Sequence, residues 1–197
     1  MGAEYERKFR ATPEILASID AAYAGAARSI LMETTYYDTP SDALAQRRYT
    51  LRRRLENDVS ICTLKTPTAD ETVRQEWETA CGSIEEAIPR LLAMGCPAEL
   101  ETLAREGLVP ICGARFTRQC KKIVFPGGSV ELALDQGALI GGGRAIPLCE
   151  VEVELKEGDK ALCDRFADEL AARFQLTAER YSKFARSKAL AKGEPHV

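Results

Sequence analysis

Acidic and basic residues recur at alternate positions along short segments of this chain. Glu4, Glu6, Lys8 and Arg10 fall two apart; so do Arg52 and Arg54, Thr63 and Lys65, and Arg74, Glu76 and Glu78. Arg118 and Lys122, Glu131 and Asp135, and Glu150, Glu152 and Glu154 keep the same parity. In an extended strand residues i and i+2 share a face, so each set presents its charges together. The opposite parity is apolar: Leu51 and Leu55, Cys62 and Leu64, Val73 and Trp77, Leu132 and Leu134, and Val151, Val153 and Leu155. For any one strand, a charged face turned to water is explanation enough. Across the set, acids and bases are sorted by strand, with Glu-x-Glu strands near both ends and Arg or Lys doublets between. Like charges on one face repel unless a cation sits between them. Such sorting is expected if the polar faces converge on one multivalent ligand.

The residue types narrow the chemistry. Paired carboxylates without histidine suit a hard cation, Mg²⁺ or Mn²⁺, which takes oxygen ligands and completes its shell with phosphate and water. The single histidine, His196, is penultimate, in a tail expected to fray, which removes histidine triads, histidine-ligated zinc and histidine general bases. Clustered Lys and Arg suit a polyanion, arginine gripping phosphate with two donors and lysine acting as a point charge. Acids for a metal and bases for phosphates in one water-poor cavity are what phosphoryl transfer needs, because that chemistry is mostly positioning and charge neutralisation. No G-x-x-x-x-G-K-[ST] loop is present, so the chain is not a P-loop enzyme.

Elements able to hold these residues follow from the pattern. Glu4–Arg10 reads as a strand, and Thr12-Pro13-Glu14 opens a helix that runs to about Gly25. Strands are expected at Ser29–Asp38, Arg48–Glu56, Val59–Thr66 and Thr72–Ala80, with Asn57-Asp58 as a hairpin turn. Helices follow from Ser83 to Gly95 and over Ala98–Arg105. Strands resume at Ala114–Phe125, Ser129–Leu134 and Ile146–Leu155, with Pro126-Gly127-Gly128 and Gly141-Gly142-Gly143 as turns. Asp159–Phe174 and Tyr181–Leu190 close the chain as helices. The expectation is one α+β domain over residues 1–197 with about eight strands. A barrel with its polar face inward and its apolar face under helices satisfies the pattern, and its charges must be paired, hydrated or occupied by metal and anion.

Bulk properties bound the alternatives. The 197 residues suffice for one sizeable core. A formal net charge of -3 argues against a strongly basic nucleic-acid binder. The seven scattered cysteines show no C-x-x-C spacing and read as reduced, mostly buried thiols. The charged opening residues suggest no signal peptide, and no apolar run could span a bilayer, so a cytoplasmic protein without membrane or nucleic-acid partners is expected.

The order of the clusters resembles the CYTH superfamily of triphosphate tunnel enzymes. Glu4-Tyr5-Glu6-Arg7-Lys8 is similar to the E-x-E-x-K signature that opens such domains. Tyr37-Asp38-Thr39, Leu51-Arg52-Arg53-Arg54, Leu64-Lys65 and Arg74-Gln75-Glu76-Trp77-Glu78 follow in family order. Phe116-Thr117-Arg118-Gln119, the run Glu131 to Gly137, Glu150 to Lys156, and Ser182-Lys183-Phe184-Ala185-Arg186 complete the series. The resemblance covers nearly the whole chain. It implies an eight-stranded antiparallel barrel, a tunnel with a charged interior flanked by helices, and a divalent metal held by Glu4, Glu6, Glu150 and Glu152. It also implies catalytic work by Lys8, Glu76 and Glu78, the two acids serving a second metal or the attacking water. Lys8, Arg52, Arg54, Lys65, Arg74, Arg118 and Lys183 would bind the phosphates. Lys8 is equally readable as a counter-ion to Glu4 and Glu6, and Glu154 and Lys122 as residues of a solvated rim.

Within the superfamily, the stretches around Phe116–Arg118, Leu134–Gly137 and Glu150–Lys156 look most like the bacterial inorganic triphosphatase branch. The implied reaction is hydrolysis of tripolyphosphate to pyrophosphate and phosphate. Some such proteins continue into a histidine-rich helical domain linked to polyphosphate, and that part is not carried over to this chain. Alternatives are a class IV adenylate cyclase or a thiamine triphosphatase, acting on a nucleoside or thiamine triphosphate, and a non-catalytic polyphosphate-binding module. A base or thiazole would want an aromatic platform. Aromatics are only 7% of the chain, with none evidently dedicated to that role. Clustered acids serve no purpose in a module that only binds anions.

Overall fold

The computed structural model describes residues 2–23, 25–70 and 72–194; His196 lies outside them. Strands β1 (Gly2–Arg10), β2 (Arg28–Asp38), β3 (Thr50–Glu56), β4 (Val59–Pro67), β5 (Val73–Ala80), β6 (Val109–Phe125), β7 (Gly128–Gly141) and β8 (Arg144–Glu157) pair antiparallel in the order β5-β4-β3-β2-β6-β7-β8-β1. Strand β1 then pairs with β5 through Gly2–Tyr5, which closes an eight-stranded barrel. The two-residue β9 (Thr177–Ala178) adds to β1 at Phe9 and Arg10, so the two halves of β1 serve different neighbours. The fold is α+β, as expected.

Helices α1 (Pro13–Ala22), α2 (Ala43–Gln46), α3 (Ile84–Ala93), α4 (Glu99–Arg105), α5 (Lys160–Phe174) and α6 (Lys183–Lys192) connect and flank the strands. Their starts follow ordinary capping. Thr12, Ser83, Asp159 and Ser182 each accept a backbone N–H two or three residues into the helix. Two apolar clusters lie between barrel and helices. Leu51, Cys62, Leu64 and Trp77 meet Ile84, Leu91 and Leu100 under α3 and α4. Leu132, Leu134, Val151 and Val153 meet Leu16, Ile19, Phe166 and Leu170 under α1 and α5. Each buried Leu, Ile or Phe contributes about 1.5–3 kcal/mol, so on β3, β4, β5, β7 and β8 these apolar faces turn out to the helices and the opposite faces turn inward.

A third cluster was not anticipated. Ile30, Met32, Phe116, Cys120 and Ala133 are buried together. They share parity with residues that line the lumen, so one wall of the charged interior is apolar. Several boundaries also differ from the sequence reading: β6 starts at Val109 rather than Ala114, and β8 at Arg144 rather than Ile146. Strand β3 starts at Thr50 rather than Arg48, because Arg48 takes φ 60° while closing the turn of α2 and cannot extend. Strand β7 runs on to Gly141 rather than stopping at Leu134. Gly137 looks like a turn residue, but here it lies opposite Phe116, and a Cβ would meet the Phe116 Cα at 2.5 Å. Close strand approach, not a turn, requires that glycine. The Gly142-Gly143 turn has φ values of 58° and 72°, the left-handed geometry of a tight hairpin.

Candidate active site

A cavity of about 820 Å³ runs into the barrel. Glu4, Glu6 and Lys8 from β1, Thr34 and Tyr36 from β2, Arg52 and Arg54 from β3, and Lys65 from β4 line it. Arg74 from β5, Phe116 and Arg118 from β6, Glu152 from β8 and Lys183 from α6 also line it. Period-two alternation puts the strand residues among these inside, and Arg53 demonstrates the converse: it lies on the other face of β3, its Nε donating to Ser60 Oγ at 2.9 Å.

Within the cavity, acids and bases are paired. Lys65 donates to Glu4 and lies 3.8 Å from Glu76, while Arg52 lies 3.7 Å from the same Glu76. Lys8 is 3.2 Å from Glu6. Arg118 grips Asp135 with two donors at 2.7 and 2.6 Å and also reaches Glu152. Lys183 lies 2.8 Å from Asp135 and 2.6 Å from Glu152, and pairs with Glu150 as well. Arg186 holds Glu150 from the far side and lies 3.4 Å from Glu179.

The carboxylates expected to share a metal are therefore in different settings. Glu4, Glu6 and Glu152 line the cavity, whereas Glu150 is fully buried behind it under Lys183 and Arg186. Glu76 stands between Lys65 and Arg52. Glu78 is exposed and accepts from Thr63 Oγ1 at 3.3 Å. Arg74 donates to the carbonyls of Arg48 and Lys65. Lys122 is exposed and paired with Glu157, and Glu154 is half-buried beside Lys156.

The electrostatics follow from this arrangement. Burial pushes the Glu6 carboxyl up, and the charges of Glu152 and Glu4 add to it against Lys8. Burial also acts most strongly on Glu4 and Glu152, but there the cations win. Lys65 brings Glu4 below the usual carboxylate range, and Arg118 with Lys183 holds Glu152 well below it. Burial raises Glu150 to about 7, ahead of the opposing pull of Lys183. Burial, then Arg52 and Arg118, lowers Arg54. The Nε atoms of Arg52 and Arg54 are buried without a hydrogen-bond partner. Buried donors left unpaired are costly, and both belong to arginines that line the cavity.

The donor set fits a hard cation. Asp135, Glu150 and Glu152 place carboxylate oxygens within 4.8 Å of one another. That group is matched by Lys183, Arg118 and Arg186, whereas Glu6 feels the charges of Glu152 and Glu4 against those of Lys8, 3.2 Å away, and Lys65. An all-oxygen set with unbalanced acid is the environment that Mg²⁺ or Mn²⁺ takes.

Several residues of the site were missed in the sequence. Asp135 and Arg186 stand in recognised motifs without an assigned role, and the three-residue step from Lys183 to Arg186, one helical face, was an available signal. Glu179 is buried at 5% exposure in an irregular segment, where no periodicity could flag it. Its backbone N–H donates to the Lys8 carbonyl and its carboxylate accepts from Arg10. Aromatic residues do line the cavity, namely Tyr5, Tyr36, Phe116, Tyr181 and Phe184, although none was evident as dedicated to it in the sequence.

Among the described residues no helix is long and apolar enough to cross a membrane. An inorganic triphosphatase of Haemophilus influenzae is 31% identical over 133 residues, covering 67% of this chain but only 38% of that protein's length. Solved structures share the fold. One, described as a proposed adenylyl cyclase from Hippeastrum with a dominant triphosphatase activity, superposes with a TM-score of 0.68 at 18% identity, covering 99% of this chain and 97% of its own. PH1819 from Pyrococcus horikoshii gives 0.65 at 20% identity, covering 97% and 99%. The CYTH domain family matches residues 2–187, and the chain therefore belongs to the CYTH domain family.

Proposed function

We propose that this chain is a divalent-metal-dependent triphosphatase that hydrolyses inorganic triphosphate to pyrophosphate and phosphate. The observation that carries the reading is the lumen itself, a cavity lined by Lys8, Arg52, Arg54, Lys65, Arg74, Arg118 and Lys183. So many cations in one enclosure call for a polyanion. The acids Glu4, Glu6 and Glu152, with Glu150 behind them, would hold Mg²⁺ or Mn²⁺. When bound, that ion neutralises phosphate oxygens as charge shifts in the transition state.

The remaining work belongs to the chain. Arg52, Arg54 and Arg118 bind and align the phosphates with multiple donors, while Lys65 and Lys183 supply compact charge. Glu76, beside Lys65 and Arg52, and Glu78, two residues on along the same face of β5, would orient the attacking water and accept its proton. The water oxygen bonds to the terminal phosphorus, the bridging P–O bond breaks, and its electron pair leaves on pyrophosphate. Lys8, beside Glu6, offers positive charge to the leaving oxygen. The 31% identical relative, an inorganic triphosphatase, supports this substrate.

A second reading has its own observation. Tyr181, at 39% exposure, lines the cavity with Phe184, which offers a nucleoside or thiamine triphosphate an aromatic surface. The deciding experiment offers tripolyphosphate, ATP and thiamine triphosphate in turn, with Mg²⁺, with Mn²⁺ and with chelator, measuring phosphate release and cyclic AMP. Preferred turnover of tripolyphosphate that stops in chelator is expected. Cyclic AMP formation, or full activity in chelator, would overturn the assignment.

A further inference from the structure

Tyr36 was given no role in the sequence, and its surroundings assign it one. It lies on the inward face of β2, directly across the ladder from Arg52. The side chain lines the cavity and the residue is only 4% exposed. Its ring packs against Phe184 of α6, with centroids 5.2 Å apart and planes at 52°, so packing fixes where the hydroxyl points. Buried tyrosines ordinarily find a partner for that hydroxyl. Here it makes no hydrogen bond to any described residue. Burial pushes the Tyr36 hydroxyl up and the Cys112 thiol acts in the same direction, while the cations Arg52, Lys183 and Arg54 oppose them. Arginine and lysine have donors only, so none of these three can accept from the tyrosine. An acceptor has to come from the cavity.

We propose that the Tyr36 hydroxyl is a substrate-binding donor that hydrogen-bonds a phosphate oxygen of the bound triphosphate, beside the Arg52 and Arg54 donors. This rests on the reading of the cavity as a triphosphate site and extends it to a neutral donor from β2. A neutral donor suits this position. It adds a hydrogen bond where Arg52 and Arg54 already crowd, without a further charge to repel them.

The test is Tyr36→Phe, which keeps the ring against Phe184 and deletes only the oxygen. Melting temperature, its rise with tripolyphosphate, and kcat and KM for tripolyphosphate hydrolysis are measured for both proteins. The expected result is an unchanged melting temperature without ligand, a smaller rise with tripolyphosphate, and a kcat/KM lower by roughly 10–100-fold, the range for a hydrogen bond to a charged group. An active wild type with Tyr36→Phe kinetics within twofold would overturn the assignment of Tyr36 alone. So would a drop in the ligand-free melting temperature with kcat/KM unchanged, which would mark a packing role. A wild type that neither hydrolyses nor is stabilised by any triphosphate would overturn the reading of the cavity, and this proposal with it.

Discussion

The Lys183 ammonium lies 2.6 Å from the Glu152 carboxylate, joining the first turn of α6 to the middle of β8. The same ammonium is 2.8 Å from Asp135 and paired with Glu150, so one lysine serves three buried acids. Lys183→Met should therefore leave uncompensated buried charge. A loss of about 3–5 kcal/mol is expected, the usual cost of removing one partner of a buried pair. Denaturant unfolding measures it, and millimolar Mg²⁺ should restore part of it by mass action. A variant as stable as wild type would show that Arg118 and Arg186 alone suffice.

Glu6 and Arg53 test the inward and outward faces. Glu6→Gln keeps size and hydrogen bonding but removes the charge offered to the metal, so turnover should fall at least ~100-fold. Arg53→Gln loses only its bond to Ser60 on the outer face and should cost little. Phosphate release by purified, folded variants makes the comparison. Near-equal losses would mean that the lumen is assigned to the wrong residues.

Glu150 should leave a signature in pH. Its folded value of about 7 lies above the 4.5 expected when unfolded. The folded state therefore binds the proton more tightly, and the stability this gives is present at low pH and lost as pH rises through about 7. Glu150→Gln, a mimic of the protonated acid, should gain in melting temperature relative to wild type between pH 5.5 and pH 8. A difference that is constant, or that shrinks as pH rises, would show Lys183 and Arg186 keeping Glu150 ionised throughout.

The seat of α6 is sensitive to a single methyl group. A Cβ on Gly141 would meet the Ser187 carbonyl oxygen at 2.4 Å and the Ala191 nitrogen at 2.7 Å, both backbone atoms. Gly141→Ala should push α6 off the end of β7 at a cost of about 1–3 kcal/mol. Because α6 carries Lys183, stabilisation by tripolyphosphate should weaken in parallel. Thermal shift with and without tripolyphosphate checks both; loss of stability with full ligand response would uncouple the seat of the helix from the site.

The sequence by itself determined which side chains share a strand face. Alternation along a strand is a local property, so Glu4, Glu6 and Lys8, or Arg52 and Arg54, could be placed on one face before any strand was paired, and capping at Thr12 and Ser83 was equally local. Only the tertiary structure decided what those side chains meet. Glu150 and Glu152 share a face of β8, yet Glu152 opens on the cavity while Glu150 is sealed beneath Lys183 and Arg186. That difference comes from α6, which is about thirty positions along the chain. Closure of the barrel through β1 and β5, the apolar wall of Ile30, Met32 and Phe116, and the burial of Glu179 are likewise products of long-range packing. Periodicity reports a residue's face; the depth of that face, and the charge waiting opposite, depend on contacts between segments far apart in sequence.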